Sequence, residues 1–352
     1  MASTRSTGAS SLLTLNKEQS ALFCSPDAHN ARRLYRAKHP TAVAAFKCMD
    51  GRLNLSVITK TQAGLIQPFR NLGGKFDLGW PYFGKMVKDW VDSSISQGRD
   101  CLILVTYHFS KGDTHRGCRG FNYDVDKAQE STSHLKKQVE DIFGSHHSVI
   151  YPIQVGIETD EDALLIHGEN GEILDLGKES DLSESDLLIR LAKLFPSMKQ
   201  RVRQDLLRLL VGNQRHIHDI REENRPIADA EHKEWVLAVG RGFDWLHTLN
   251  TALIVGPYSP DLADPIRVAA GLLWDNIASG RIPKTTEMVL LASSPSYELG
   301  GTEWQIAVEK SNFMAHFAMD VVAEHAPELA KIIKPVVGVV DMHTLLFHPQ
   351  KY

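Results

Sequence analysis

Apolar positions along the chain fall into short runs separated by longer amphipathic stretches. Residues 42–47 (AVAAFK) form a brief apolar run that reads as a buried strand ending at Cys48. Residues 64–69 (GLIQPF) read as a second strand, which Pro68 terminates or confines to a sheet edge. Residues 101–107 (CLILVTY) and 149–156 give two more strands. Between them, Met86, Val87, Trp90, Val91 and Ile95 recur at helical spacing, and residues 124–143 read as a helix opening at Asp124. Residues 31–38 predict a short basic helix stopped by Pro40. Residues 163–175 predict a hairpin turning at Glu169-Asn170-Gly171. Strands alternating with helices predict an α/β fold, a mainly parallel sheet flanked by helices.

Beyond the hairpin, residues 183–211 and 228–236 predict a helical middle. Ser183-Glu184-Ser185-Asp186 is able to cap its first helix, and Arg225-Pro226 breaks it. The pattern then starts again. Residues 235–239 (WVLAV) repeat the first strand, 288–294 (MVLLASS) repeat 101–107, and 336–340 (VVGVV) repeat the strand from 149. The separations between corresponding strands are 53 and 49 residues, then 48 and 48. A helix lies between the last two strands of each half, at 124–143 and at 302–325. This predicts an internal duplication. The expected organisation is a disordered arm and short helix over 1–35, a first domain carrying the chemistry over 36–182, a helical connector over 183–232, and a second copy over 233–352.

Composition narrows the function classes. The chain of 352 residues is 43% hydrophobic and 23% charged, which suits a sizeable globular core. A formal net charge of −4 gives no electrostatic reason to expect nucleic acid. No apolar run reaches the length of a membrane span, so no membrane partner is expected. The four cysteines (Cys24, Cys48, Cys101 and Cys118) are too few for a disulfide scaffold and point to a reducing, cytoplasmic setting. The Ser/Thr-rich start has no acid in its first 17 residues, which also fits organelle targeting. His146-His147 reads as a solvated turn.

Candidate chemistry gathers where two strands end. Ligand sites in parallel sheets lie outside the carboxyl ends of strands, and Cys48 and His108 both fall there. Cys118 follows in the loop after His108, with His115 three residues before it. Two thiolates and one imidazole suit a catalytic zinc, which takes three protein ligands and leaves one position for water. The histidine is His108 by its place at a strand end, or His115 by its spacing to Cys118. In Cys48-x-Asp50-x-Arg52 an extended backbone puts all three side chains on one face. Asp50 then accepts a hydrogen bond from zinc-bound water, and Arg52 holds the carboxylate in place. The second copy has Val239 where the first has Cys48, so it is degenerate and carries no such site.

These residues resemble a known family. Cys48-Met49-Asp50-Gly51-Arg52 is similar to the C-x-D-x-R signature of beta-class carbonic anhydrases, and Arg70-Asn71-Leu72-Gly73-Gly74 resembles that class's R-N-x-G segment. The strand from Cys101 to Tyr107 followed by His108 resembles the strand that ends in the zinc-binding histidine. His115-Arg116-Gly117-Cys118 matches H-x-x-C. Tyr107-His108-Phe109, Gly117-Cys118 and the segment from Val155 to Asp160 resemble the divergent carboxysomal shell subgroup, in which an active half is joined to a half without metal.

The resemblance implies a lyase that reversibly hydrates carbon dioxide to bicarbonate. Cys48, His108 and Cys118 are its zinc ligands, with His115 the alternative to His108. Asp50 orients hydroxide and Arg52 holds Asp50; if that pair opens, Asp50 is able to close on zinc. His115 is a candidate proton shuttle, and Phe69 and Phe109 are candidates for an apolar wall. The resemblance also implies a covalent pseudo-dimer with one zinc, assembled as a homo-oligomer of pseudo-dimers in a carboxysome-like compartment, with shell or Rubisco-associated partners. Two other readings fit the same residues: hydrolysis of carbonyl sulfide or carbon disulfide, and a non-catalytic, zinc-stabilised shell or assembly protein.

Overall fold

The computed structural model of the chain describes residues 8–144 and 148–352. The first seven residues of the expected arm and the His146-His147 turn lie outside these. The chain begins with helices α1 (Ala9–Cys24) and α2 (Pro26–Lys38). The expected disordered arm is therefore corrected, because residues 9–24 are helical. Leu12, Asn16 and Ser20 recur every four residues and form the buried face of α1. Leu12 enters an apolar core with Val236, Trp245 and Phe347. The side chain of Asn16 donates to Leu345 O at 2.9 Å and accepts from Phe347 N at 2.8 Å, while the Ser20 hydroxyl donates to Thr344 O. Two of the three buried positions are polar, which hides the helix from an apolar-periodicity reading.

The contacts divide the chain into two compact units, one of which comprises Ala31–Met49 and Leu53–Glu231. Its elements are β1 (Ala42–Cys48), α3 (Leu55–Ile58), β2 (Ile66–Asn71), α4 (Pro81–Ser96), β3 (Cys101–Phe109), α5 (Val125–Val139), β4 (Ile150–Glu158), β5 (Ala163–His167), β6 (Ile173–Asp175), α6 (Glu184–Leu194) and α7 (Gln200–Glu222). The sheet order is β2-β1-β3-β4-β5-β6, parallel from β2 to β4 and antiparallel from β4 to β6. Every residue of β1 is buried, as expected for an interior parallel strand covered on both faces. Pro68 lies in β2, an edge strand, where its missing N–H costs no ladder bond. Asp124 and Ser183 cap α5 and α6 through their side-chain oxygens.

The expected connector over 183–232 is not a separate segment. Helices α6 and α7 belong to this unit, and Asn213 of α7 ties them in. Its Nδ2 donates to Ile58 O and Asp162 O, and its Oδ1 accepts from Leu164 N. The helix expected over 228–236 is also absent. Pro226 is followed by a single 3-10 turn at Ile227–Asp229, and Val236 opens a strand.

The other unit comprises the described residues up to Asn30, Asp50–Arg52 and His232–Tyr352. After α1 it contains β7 (Val236–Gly240), β8 (Ala252–Val255), α8 (Ala263–Ala278), β9 (Val289–Ser296), α9 (Thr302–His325), α10 (Pro327–Ala330), β10 (Lys334–Asp341) and β11 (Leu346–Gln350). Its order, β8-β7-β9-β10-β11, repeats β2-β1-β3-β4-β5 strand for strand, with the same three parallel pairings followed by one antiparallel pairing. This is the topology that a duplication requires. Counted from the first β1–β3 pair (Ala42↔Cys101) and the first β7–β9 pair (Val236↔Val289), the position of Cys48 corresponds to Gly242 rather than to Val239. Among the described residues, no helix is long and apolar enough to cross a membrane.

Candidate metal centre and the Asp50–Arg52 fork

Cys48 is the last residue of β1, and His108 is the penultimate residue of β3. The two strands are parallel neighbours, so both side chains come to the same end of the sheet. Cys118 caps a 3-10 turn, Arg119–Phe121. Its carbonyl accepts from Phe121 N at 3.1 Å and from Tyr123 N at 2.9 Å, which fixes the backbone at the cysteine. Cys48, His108 and Cys118 are all buried, at 5%, 2% and 3% exposure. One ligand atom from each lies within 4.8 Å of the others. Tetrahedral bonds of about 2.3 Å to sulfur and about 2.0 Å to nitrogen put donors roughly 3.5 Å apart. This Cys-His-Cys group is thus able to hold a metal ion after small side-chain adjustments.

The segment from Arg70 to Gly74 shapes one wall. Asn71 pairs with Cys48 across β1 and β2, its carbonyl accepts from Met49 N at 2.9 Å, and its Nδ2 donates to Lys75 O at 2.8 Å. Gly73 and Gly74 both have φ of +67°. A Cβ on Gly74 would stand 3.0 Å from Thr106 O and 3.4 Å from Cys48 N, and one on Gly73 would stand 2.9 Å from the Phe121 ring. The glycine pair is needed both for its left-handed backbone and for close approach to the segments that carry the two cysteines.

His115 takes no part in the cysteine group. Its side chain is 80% exposed and lies 3.3 Å from Asp113 Oδ1. Phe69 lies in the hydrophobic core. It is buried in an aromatic cluster, packed edge-on against Phe46 and Phe83. Phe109 ends β3 half-buried and stacks on Tyr107 with centroids 6.0 Å apart.

Asp50 and Arg52 form a buried fork. Arg52 donates from Nε to Asp50 Oδ1 at 3.0 Å and from Nη2 to Oδ2 at 2.6 Å, and its backbone N–H also reaches Oδ1 at 2.9 Å. Two residues absent from the sequence reading complete this arrangement. His232 Nε2 lies 3.1 Å from Arg52 Nη2, and His232 Nδ1 lies 2.9 Å from Glu234 Oε2. Glu234 Oε1 accepts from Gly51 N at 3.0 Å. The available signal was His-x-Glu just before an apolar strand, where alternation puts both side chains on one face. The helix expected over 228–236 concealed it. One ligand atom from each of Asp50, His232 and Glu234 also lies within 4.8 Å of the others. The Arg52 guanidinium is already bonded between Asp50 and His232, however, so a second cation there would meet a fixed positive charge.

No protein-family model matches the chain, and no curated protein sequence is significantly similar to it.

Proposed function

We propose that the chain is a zinc-dependent carbonic anhydrase of the beta kind, hydrating carbon dioxide to bicarbonate and a proton. The observation that carries this reading is the buried Cys48, His108 and Cys118 group, followed in the chain by a carboxylate held in a guanidinium fork. A metal that served only to stabilise the fold would need no such carboxylate. Thiolate and imidazole donors favour zinc over magnesium or calcium. Zinc, when bound, lowers the pKa of water so that hydroxide is available near neutral pH.

The remaining roles belong to the chain's own groups. Asp50 serves as the acceptor that orients the attacking water, since an ionised carboxylate only accepts. Arg52 grips both carboxylate oxygens through charge-assisted bonds and restricts their rotation. His232, whose Nε2 accepts from Arg52 Nη2 at 3.1 Å, holds the guanidinium in place against Asp50. Glu234 fixes the orientation of that ring. No cysteine follows Cys118 in the sequence, so one zinc per chain is expected.

Stopped-flow hydration of carbon dioxide, run beside zinc analysis, tests the proposal. Asp50→Asn should keep its zinc and lose activity by on the order of 10²-fold. Full activity in that variant, or zinc-loaded protein that hydrates no carbon dioxide, sinks the reading. Hydrolysis of carbonyl sulfide or carbon disulfide by the same preparation would redirect it to those linear relatives.

A further inference from the structure

We propose that Asp160 is a positioning residue for the metal centre, holding the loop between His108 and Cys118 in the conformation that presents Cys118. This rests on reading the Cys-His-Cys group as a metal site. His108 is carried by a strand, but Cys118 lies ten residues further on. Between β3 and Cys118 the only regular element is the 3-10 turn at Thr114–Arg116. A flexible loop of that length would lose backbone entropy when a metal closed it, so a preorganised cysteine needs an external anchor.

Asp160 lies just beyond β4, the parallel neighbour of β3. The side-chain contacts of Asp160 concentrate on the loop. Ser110 Oγ donates to Oδ1 at 2.8 Å, Gly112 N donates to Oδ2 at 2.7 Å, and Arg116 Nε donates to Oδ1 at 3.0 Å. Arg116 stands two residues before Cys118, and Ser110 two after His108, so the carboxylate grips the loop near both ends. The surroundings reinforce this. Ser110 Oγ accepts from Asp113 N, Glu158 Oε1 accepts from Lys111 N and Asp160 N, and Thr159 N donates to Phe109 O. Burial alone would raise the Asp160 carboxyl, but the Gly112 N–H, the Ser110 hydroxyl and the Arg116 guanidinium outweigh it and hold the group below the usual carboxylate range.

Asp160→Asn tests the idea, because it preserves shape while replacing an acceptor oxygen with an NH₂ that faces donors. Full-length protein is loaded with zinc for chelator competition and with cobalt(II) for its thiolate charge-transfer band. The metal-free melting temperature is recorded alongside. The expected result is about tenfold weaker zinc binding and a diminished cobalt band, with metal-free melting little changed. Zinc affinity within twofold of wild type, or an affinity loss matched by an equal loss of metal-free stability, overturns the proposal. If Asp160→Asn does not fold, Ser110→Ala takes its place. It should weaken zinc about three- to fivefold, because it removes both the bond to Asp160 and the one accepted from Asp113 N, and unchanged affinity there also overturns it. Wild-type protein that takes up neither metal overturns the metal reading and this inference with it.

Discussion

Arg52 Nη2 lies 3.1 Å from His232 Nε2. A guanidinium has no acceptor, so the ring nitrogen accepts and the imidazole proton sits on Nδ1, directed at Glu234. Glu234, His232, Arg52 and Asp50 thus form one polar chain in which each link restricts the next. A long-range ¹⁵N–¹H correlation spectrum near neutral pH should show His232 with a protonated Nδ1 and a bare Nε2. In Glu234→Gln the preference for that tautomer should weaken. The opposite tautomer in the wild type would break the chain at Arg52.

His108 and His115 give a second test. The His108 ring is buried in the cysteine group, whereas His115 is mostly in solvent beside Asp113. His108→Ala should lose stoichiometric zinc at micromolar protein, because two thiolates alone leave the metal under-coordinated. His115→Ala should retain a full equivalent. Zinc analysis after gel filtration separates the two outcomes, and retention in the first variant with loss in the second would reverse the assignment.

Much of this was legible in the sequence, for identifiable reasons. Strands β1, β3, β4, β7, β9 and β10 are interior, and their buried apolar runs stand out against amphipathic helices. The cysteines could be placed because Cys48 ends such a run. Strand-end position favoured His108 and H-x-x-C spacing kept His115 as the alternative, so the two signals pulled in opposite directions. Only the path of the 110–117 loop separates them. His232 and Glu234 were missed because they precede a strand in a stretch that reads as helical, and because their partners stand some 180 residues earlier. Helix α1 was missed because it binds its unit as much through Asn16 and Ser20 as through Leu12.

Helix α1 therefore carries its own prediction. Leu12 is 1% exposed among Val236, Phe243 and Trp245, and so belongs to the core of the unit containing β7 to β11. Leu12→Ala should cost about 2–4 kcal/mol in urea unfolding. Asn16→Ala should cost a further 1–3 kcal/mol, roughly, by leaving Phe347 N and Leu345 O unsatisfied. Wild-type stability in both variants would return the segment to the status of a loose arm.

Two histidines shape the mildly acid part of the stability profile. Burial lowers the His167 and His247 imidazoles below their ordinary value. His167 Nε2 also lies 2.8 Å from Tyr107 Oη, whose phenol burial pushes up to about 12, so the hydroxyl stays protonated and donates to the ring. A proton on Nε2 would break that bond. Because the folded-state values lie below the unfolded value, the unfolded chain binds more protons as the pH drops. Stability should therefore be full above about pH 6.5 and should decline as the pH falls through that point toward the lowered folded values. His167→Gln keeps an acceptor for the Tyr107 hydroxyl but removes one titrating group. Urea midpoints measured between pH 7.5 and 5 (roughly the imidazole window) should fall less steeply in the variant than in the wild type. Parallel slopes would mean that His167 exchanges its proton equally in both states and that its burial has no energetic consequence.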